Sequence, residues 1–409
     1  MNKKFLIISS YAPPAISGSP LMMFNILKHF PSQSFCILTS HFGINNKAIK
    51  DGNWLNAKYF YFDSFTNITT PHKEETFFQQ CKSFVKKNLL LRFLARIFFL
   101  FYLPITIVKR GRKIIKEEHI DFLLGYSDYG PALFATYLLH LFTKKPFSIY
   151  LYDLYYKNNF PFLYGVLAYF LEKNLFMHAQ RIFVMSETLQ RYYQDKYGRD
   201  VIVIHNSIDL PNIELGNDIK ERCSNVVKIV FTGTIYWPQA ESIKNLIMAI
   251  EQIEEFNVQL WLYTPHTSEI LHEQGIFEGE HVVFSHGSPV EMVRVQKDAD
   301  ILFVPLSFNT KFPLLIDTSS PGKFSEYLIS GVPILVHAPH SSYIAEYAKL
   351  NNCALVVDEE NIKILKSSIL SLVTDRKIVK ILTKNAWDVA VRNHNALRNS
   401  LLLQENLLR

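Results

Sequence analysis

Residues 321–336 combine a turn, two charged side chains and an apolar strand in an order that suits the binding of an anion and of hydroxyl groups. Pro321 and Gly322 favour a turn into a helix, whose first backbone N–H groups carry partial positive charge and attract phosphate. Lys323 adds a full positive charge. Glu326 follows three residues later, so both side chains project from one side of the helix, where a carboxylate can accept hydrogen bonds from sugar hydroxyls.

The same two side chains allow a simpler interpretation. Lys323 and Glu326 can form a solvated ion pair across one helical turn of an ordinary α/β unit, with no ligand involved. Gly331 is expected to end this helix, and Pro333 to prevent its continuation. The local pattern leaves both interpretations open.

Short apolar segments alternate with helical stretches along the sequence, which predicts an α/β protein with parallel sheets. Strands are predicted at residues 4–9, 34–39, 122–126, 147–152, 181–185 and 201–205 in the first half, and at 227–232, 258–263, 281–285, 301–305, 333–337 and 354–357 in the second. Ligands of parallel sheets bind beyond the carboxyl ends of the strands, so the loops after these strands are the candidate binding edge.

The 409 residues exceed what one hydrophobic core usually covers, which predicts two domains of roughly 200 residues each. Residues 210–226 mix charges with little periodicity and are predicted as a linker. The predicted organisation is an N-terminal domain over 1–215, a C-terminal domain over 216–385 and a final helix over 386–409. The apolar face of that helix is expected to contain Leu397, Leu401 and Leu408.

Composition limits the class of protein. The four cysteines are scattered without the paired spacing of a zinc site, which predicts free thiols in a reducing cytoplasm. The apolar run at residues 5–8 is too short for a secretory signal and fits a buried strand.

Positive charge is concentrated in one segment. Residues 82–116 hold ten Lys and Arg and no Asp or Glu, and without them the net charge of +6 would become negative. Such local basicity argues against a nucleic-acid-binding protein. Residues 89–108 are apolar but interrupted by Arg92, Arg96 and Pro104, so the longest unbroken apolar run is too short to span a bilayer. They predict either a helix lying on an anionic membrane or a core helix with a solvated basic end, whereas residues 160–177 are predicted as a core helix.

Three motifs resemble one enzyme family. Residues 321–336 look like the nucleotide-sugar signature in the C-terminal domain of GT-B glycosyltransferases, specifically the family 4-like retaining enzymes. Residues 181–187 and 205–209 are similar to the strand–Ser–Glu and Asn–Gly–Ile/Val–Asp pair that ends the N-terminal domain of that family, with Ser207 at the usual glycine. Residues 231–234 resemble the glycine-rich loop that opens its donor domain.

The resemblance covers nearly the whole chain and is strongest over residues 228–358. It implies a GT-B fold, in which two Rossmann-like domains with parallel sheets face each other across a cleft and the last helix returns to the N-terminal domain. It also implies sugar transfer from a nucleotide-diphosphate sugar, with retention, to a lipid-linked or bacterial surface glycan. No metal is expected, because GT-B enzymes typically manage without one. The expected location is cytoplasmic, and peripheral on the inner face of the cytoplasmic membrane if residues 89–108 form an interfacial helix.

The resemblance assigns roles to residues of the second half. The carboxylate matching Glu326 binds the donor ribose, and the turn before it meets the diphosphate. Gly233 and Thr234 occupy the glycine-rich loop, but the Arg and Lys that many members place after it are absent, and Lys244 lies deeper in the next helix. We therefore expect Lys323 to neutralise the diphosphate and to act in catalysis.

A second departure concerns the paired glutamates of the family. Thr318 stands about where the first glutamate is expected, so that acid is absent or displaced. Hydroxyls and backbone groups are expected to contact the donor instead. They belong to Thr318, Ser319, Ser320, Pro321 and Gly322.

The first half supplies weaker candidates. Gly18 and Ser19 lie where the family has a glycine-rich turn facing the donor phosphates. Asp153, at a predicted strand end, is the candidate acid that contacts the transferred sugar or accepts the acceptor proton, although it could equally cap a helix beginning at Leu154. Asp128 is a lesser alternative, and Glu172 matches a family carboxylate that a structural hydrogen bond would explain as well.

Two other functions fit the same pattern. A sugar-nucleotide epimerase of this fold would need acid and base carboxylates around the donor sugar, which the threonine at position 318 disfavours. A non-catalytic GT-B binding or scaffold subunit is consistent with the missing cations and the missing acid. Sugar transfer by the purified chain would distinguish these possibilities.

Overall fold

The computed structural model describes residues 3–15, 18–40, 53–63, 89–127, 131–158, 162–210 and 226–408. The chain divides into two compact units. Unit 1 is formed by Met1–Ile204 and Leu397–Arg409, and unit 2 by His205–Ala396. Most of the predicted linker lies outside the described residues.

Within its described residues, unit 1 contains a seven-stranded sheet whose strands all run parallel, in the order β3-β2-β1-β4-β5-β6-β7. The strands are β1 (Phe5–Ile8), β2 (Phe35–Thr39), β3 (Lys58–Tyr61), β4 (Phe122–Tyr126), β5 (Phe147–Leu151), β6 (Ile182–Val184) and β7 (Ile202–Val203). The helices that precede unit 2 are α1 (Gly18–Leu27), α2 (Leu89–Glu117), α3 (Pro131–Thr143), α4 (Phe162–His178) and α5 (Glu187–Tyr197).

The six strands predicted in this half are confirmed. Every residue of β1, β2, β4 and β5 is buried, because both faces of a parallel sheet are covered, and such strands appear in a sequence as continuous apolar runs. The sequence analysis missed β3. This strand lies at the sheet edge and is only partly buried, so it lacks the continuous apolar signal of the others.

The described residues of unit 2 repeat this architecture with six parallel strands in the order β10-β9-β8-β11-β12-β13. The strands are β8 (Val226–Thr232), β9 (Asn257–Tyr263), β10 (Val282–Ser285), β11 (Ile301–Pro305), β12 (Ile334–His337) and β13 (Leu355–Val357). The helices are α6 (Trp237–Ile250), α7 (Ser268–Glu273), α8 (Pro289–Asp298), α9 (Pro313–Thr318), α10 (Gly322–Leu328), α11 (Tyr343–Leu350), α12 (Ile362–Thr374) and α13 (Arg376–Val389). All six predicted strands of this half are confirmed.

The sheet of unit 2 separates two hydrophobic clusters. Side chains of β8 alternate between them: Ile229 and Phe231 enter one cluster, and Val230 enters the other. This alternation follows from the two-residue period of a strand. The sheet is therefore buried on both faces, and its strand ends carry the loops that can meet a ligand.

The final helix, α14 (Ala396–Leu408), contributes to the core of unit 1 through Leu403 and Leu407. The predicted apolar face was wrong, since Leu397 is 52% exposed and Leu401 is 50% exposed. The side chain of Leu408 lies outside what the structure describes. Leucines lie on more than one side of this helix, so tertiary packing rather than composition selects the buried side.

Helix α4 is only half a core helix, which corrects the prediction for residues 160–177. Leu171, Leu175 and Phe176 are buried, but Phe162 and Phe170 on the other side are 80% and 67% exposed. The sequence did not distinguish the buried face from the exposed face, because both faces of the helix carry large apolar side chains. Among the described helices, none combines the length and apolar character needed to cross a membrane.

Candidate active site

The loop after β8 is shaped by a glycine. Gly233 has φ of +136°, which L side chains rarely adopt, and its N–H donates to the carbonyl of Tyr263 at 2.8 Å. A Cβ placed on Gly233 would lie 3.8 Å from Cγ and 3.9 Å from Cε of Lys323. The Lys323 side chain therefore runs along this loop at the carboxyl end of the sheet. Thr234 follows in the same loop and is exposed.

Helix α10 carries the charged pair. It begins at Gly322 after Pro321, and Gly331 adopts φ of +78° in the turn before β12. Lys323 Nζ donates to the two carboxylate oxygens of Glu326 at 3.1 and 3.2 Å. Their side chains are 35% and 31% exposed, so the ion pair is half-buried and open to solvent on one side.

The carboxylate of Glu326 has a second partner. Gln296 of α8 is buried and donates from Nε2 to Glu326 at 3.1 Å and to the hydroxyl of Thr232 at 3.3 Å. The N–H of Thr232 donates to the hydroxyl of Tyr327 at 2.9 Å. These bonds fix α10 to the end of β8. The sequence analysis missed all three supporting residues, because no local motif marks contacts between separate elements.

Lys323 and Glu326 can each contact a ligand while they keep their bonds to the protein. An ammonium group has three hydrogens, so Lys323 can hold Glu326 and still donate to an anion. A carboxylate has about four acceptor sites, so Glu326 can keep its protein partners and accept from a hydroxyl. The arrangement therefore suits a ligand that carries phosphate next to a diol.

Only part of the segment before α10 is exposed enough to contact a ligand. Thr318, at the end of α9, is 1% exposed and its hydroxyl donates to the carbonyl of Leu314 at 2.8 Å, which argues against the predicted contact with a sugar. Ser319 and Ser320 are half-buried in the connection to α10. Asp317 accepts a hydrogen bond from Ser341 at 2.6 Å.

Lys244 occupies a different place. It lies in α6, where a Cβ on Gly275 would stand 3.7 Å from its Cδ and 4.0 Å from its Nζ. Lys323, by contrast, lies against the Gly233 loop. Lys244 of α6 thus points toward the segment after α7.

In unit 1, Gly18 starts α1 with φ of +71°, and Ser19 follows in the first turn. Asp153 lies two residues beyond β5, and no helix begins at Leu154, so the helix-cap explanation is wrong. Desolvation raises the pKa of Asp153. Its side chain is nevertheless exposed to solvent, so we expect the shift to be small. Asp128 lies outside the described residues.

Glu172 is a structural residue. Its side chain is 1% exposed and accepts hydrogen bonds from four donors. These are the N–H of Tyr156 at 2.7 Å, the hydroxyls of Tyr193 at 3.4 Å and Tyr197 at 2.7 Å, and Nζ of Lys196 at 2.5 Å. A carboxylate saturated in this way has no site left for a substrate.

Metal-ligating side chains are dispersed over the described part of the chain, where no three His, Cys, Asp or Glu gather to hold a metal ion. Cys36 and Cys353 are buried free thiols. Burial raises the pKa of both, that of Cys353 to about 12. These thiols are therefore poor nucleophiles and serve as small core residues.

Comparison with known proteins supports an enzyme of the predicted type. Residues 68–211 match the family model of Glycosyltransferase Family 4. No curated protein matches the sequence.

Three solved structures are similar over nearly the full length of both chains. A glycosyltransferase from Rickettsia africae has 12% identity and a TM-score of 0.66, with 100% of each chain covered. HepE from Anabaena, solved with UDP-glucose, has 14% identity and a TM-score of 0.65, with 99% of each chain covered. WaaG, a glycosyltransferase involved in lipopolysaccharide biosynthesis, has 12% identity and a TM-score of 0.57, with 98% of each chain covered.

At these identities the structural likeness establishes the GT-B fold, and the family model adds the enzyme class. Two Rossmann-like units with all-parallel sheets agree with both. The chain is a glycosyltransferase with a GT-B fold, and its residues 68–211 are similar to Glycosyltransferase Family 4.

Proposed function

We propose that the chain transfers a sugar from a nucleotide-diphosphate sugar to a lipid-linked or bacterial surface glycan, with retention of anomeric configuration. The observation that carries the proposal is the Lys323 side chain lying along the Gly233 loop while its ammonium holds Glu326. A diphosphate beside Gly233 would meet Lys323, and the adjoining ribose would meet Glu326. HepE and WaaG, of the same fold, are a UDP-glucose-binding protein and a lipopolysaccharide-pathway enzyme.

In this mechanism the bond between the sugar and the departing diphosphate breaks as an acceptor hydroxyl attacks. Negative charge grows on the diphosphate, and Lys323 stabilises it together with the amides around Gly233 and Gly322. Asp153 contacts the transferred sugar or accepts the proton of the acceptor hydroxyl. Lys323 supplies the positive charge that a divalent ion would otherwise provide, so the reaction requires no metal.

The acceptor side of the proposal includes a membrane surface. Helix α2 buries Ile107 and Ile114 but exposes Lys109, Arg112 and Lys113, so its final turns resemble the core helix with a solvated basic end. Earlier in the same helix, Phe101 and Ile105 are 55% and 62% exposed. Large apolar side chains next to basic ones favour an anionic lipid surface, such as the inner face of the cytoplasmic membrane.

Exposed apolar side chains also occur on the next two helices, α3 and α4. Helix α3 contacts both α2 and α4, and Arg112 lies 5.8 Å from the ring of Phe142 on α3.

Charge reversal at Lys109, Arg112 and Lys113 should release the protein from vesicles containing anionic lipid, since each charge near the surface contributes about 1 kcal/mol. Reversal of the exposed Lys377 and Lys380 on α13 of unit 2 is the matched control. Equal release by both variants would contradict the assignment of this surface.

The donor assignment is tested by thermal shift with UDP, GDP, ADP and CDP. A ligand that binds only the folded state raises the unfolding temperature, and one of the four should do so with EDTA present. Sugar release from the corresponding nucleotide sugar should follow, again with EDTA. Binding without turnover would instead identify a non-catalytic binding subunit, and loss of activity in EDTA would refute the metal-free mechanism.

A further inference from the structure

The two segments that connect unit 2 to unit 1 are joined to each other. The chain enters unit 2 at His205 and leaves it after Ala396. Ile208 N–H donates to the carbonyl of His394 at 2.8 Å, and Ala396 N–H donates to the carbonyl of Ile208 at 2.9 Å. The entering and leaving segments therefore form a short parallel bridge.

Asn206, in the entering segment, reaches helix α10. Its buried side-chain amide donates to the carbonyl of Gly322 at 2.7 Å and to the hydroxyl of Ser325 at 2.8 Å. Gly322 and Ser325 each directly precede one member of the charged pair, Lys323 and Glu326. One residue advances about 100° around a helix, so Asn206 holds the face adjacent to the one that carries the pair.

Helix α10 needs such support. It has seven residues, and helices this short are not stable without tertiary contacts. Its N-cap residue is Pro321, whose side chain has no polar atom with which to cap the first turn. The orientation of Lys323 and Glu326 therefore depends on contacts from outside the helix.

A buried hydrogen-bond chain fixes Asn206 in turn. The carbonyl of Asn206 can only accept, so His394 Nδ1, at 2.8 Å, carries the proton. His394 Nε2 then accepts from the hydroxyl of Tyr347 at 3.1 Å, and that hydroxyl accepts from the side-chain amide of Asn393 at 2.7 Å. These bonds hold the backbone carbonyl of Asn206 in place.

We infer that Asn206 is a positioning residue for donor binding: it sets the orientation of α10 and thereby the place of the Lys323 ammonium for the donor diphosphate. This inference rests on the proposed nucleotide-diphosphate donor. Asn206 itself is not expected to touch the ligand. Its contribution appears only through Lys323, which separates it from a residue that merely stabilises the fold.

The test uses calorimetric titration of the full chain with UDP and with uridine, or with the nucleoside diphosphate and nucleoside of the base that binds. The measured quantity is the gain in affinity from nucleoside to nucleoside diphosphate. Asn206→Ala should reduce this gain about tenfold, the scale of coupling between groups in one network. In a Lys323→Ala background, adding Asn206→Ala should leave the remaining gain unchanged within about twofold.

Asn245→Ala is the matched control, since Asn245 is a buried asparagine of α6 whose amide lies 3.4 Å from His337 at the end of β12. It should leave the gain unchanged. If Asn206→Ala does not fold, Ser325→Ala removes one of the two contacts from the helix side and should reduce the gain in the same direction.

The inference is overturned if folded Asn206→Ala shows the wild-type gain in affinity from nucleoside to nucleoside diphosphate. It is also overturned if Asn206→Ala reduces this gain equally in the presence and absence of Lys323. The donor assignment survives either result. If the wild type binds no nucleoside diphosphate more tightly than its nucleoside, the proposed function fails first.

Discussion

Each unit contains a glutamate paired with a lysine, and the two pairs differ in how much of their hydrogen-bonding capacity the protein uses. In unit 1, Glu172 is buried and accepts from four donors, among them Lys196. In unit 2, Glu326 is about one-third exposed and bonds to Lys323 and Gln296. A saturated carboxylate holds the fold together, whereas a partly exposed one beside a strand end can serve a ligand.

The two lysines, Lys196 and Lys323, also differ in their surroundings. Lys196 lies 5.1 to 5.3 Å from the ring centroids of Tyr156, Tyr192 and Tyr197. Desolvation opposes its charge, but the hydrogen bond to Glu172, the negative charge of Glu172 and the neighbouring tyrosines together outweigh this and raise the pKa of Lys196 above its usual value. Lys323 instead lies along the Gly233 loop. Aromatic rings enclose the structural lysine, while the second lysine borders a loop that can admit phosphate.

The largest expected effect is on stability in unit 1. Glu172→Ala leaves Lys196 and three other donors without their acceptor, and should lower the free energy of unfolding by about 3 kcal/mol, the lower end for a broken buried pair. Urea unfolding measures this loss. A stable variant with impaired nucleotide binding would show instead that Glu172 serves the substrate, and the contrast between the pairs would fail.

Lys323→Ala should lower turnover at least about a hundredfold, the effect of removing one donor to a developing oxyanion, or about 2.7 kcal/mol. Its stability should change by less than about 1 kcal/mol, because the pair is half-exposed. Lys244→Ala is the control and should have the smaller kinetic effect. If Lys244→Ala proves more damaging, the phosphate site lies at α6 and not at α10.

Glu326→Gln keeps the shape of the side chain but removes the negative charge that is proposed to accept from the donor ribose, and should weaken binding by about 1.5–3 kcal/mol. Binding of the nucleoside diphosphate and of its nucleoside should weaken equally, because both contain the ribose. Lys323→Ala should instead weaken binding of the nucleoside diphosphate alone. Unchanged calorimetric affinity of Glu326→Gln for both ligands would refute the ribose assignment.

A third charged cluster, Glu118 with Lys4 and Lys58, gives the smallest expected effect. Glu118 accepts from Lys4 and Lys58 at 2.8 Å each, and these hydrogen bonds lower the pKa of Glu118. A lowered folded-state pKa adds stability at pH values above the unfolded value of about 4.3, and this stability is lost as pH falls through the folded value. Glu118→Gln should therefore cost less than about 1 kcal/mol at pH 7 and nothing measurable near pH 2. A difference that stayed constant over this range would show that packing, not charge, makes the contact.

Local sequence was sufficient to predict most of the elements. Twelve predicted strands are confirmed, because a buried parallel strand requires a short continuous apolar run that is visible without knowledge of its neighbours. The predicted turn into α10 and the glycine turn before β12 also formed, since both depend on adjacent residues. The half-exposed edge strand β3 lacked this local signal.

The sequence by itself determined where strands and turns form, that Lys323 and Glu326 share one side of a helix, and that Gly233 follows a strand. Tertiary structure decided which residues support that helix: Gln296 bonds to Glu326 across 30 positions and Asn206 bonds to Ser325 across 119. It also selected Leu403 and Leu407 as the buried side of α14. Such contacts depend on how separate elements pack, and a pattern of neighbouring residues carries no information about distant partners.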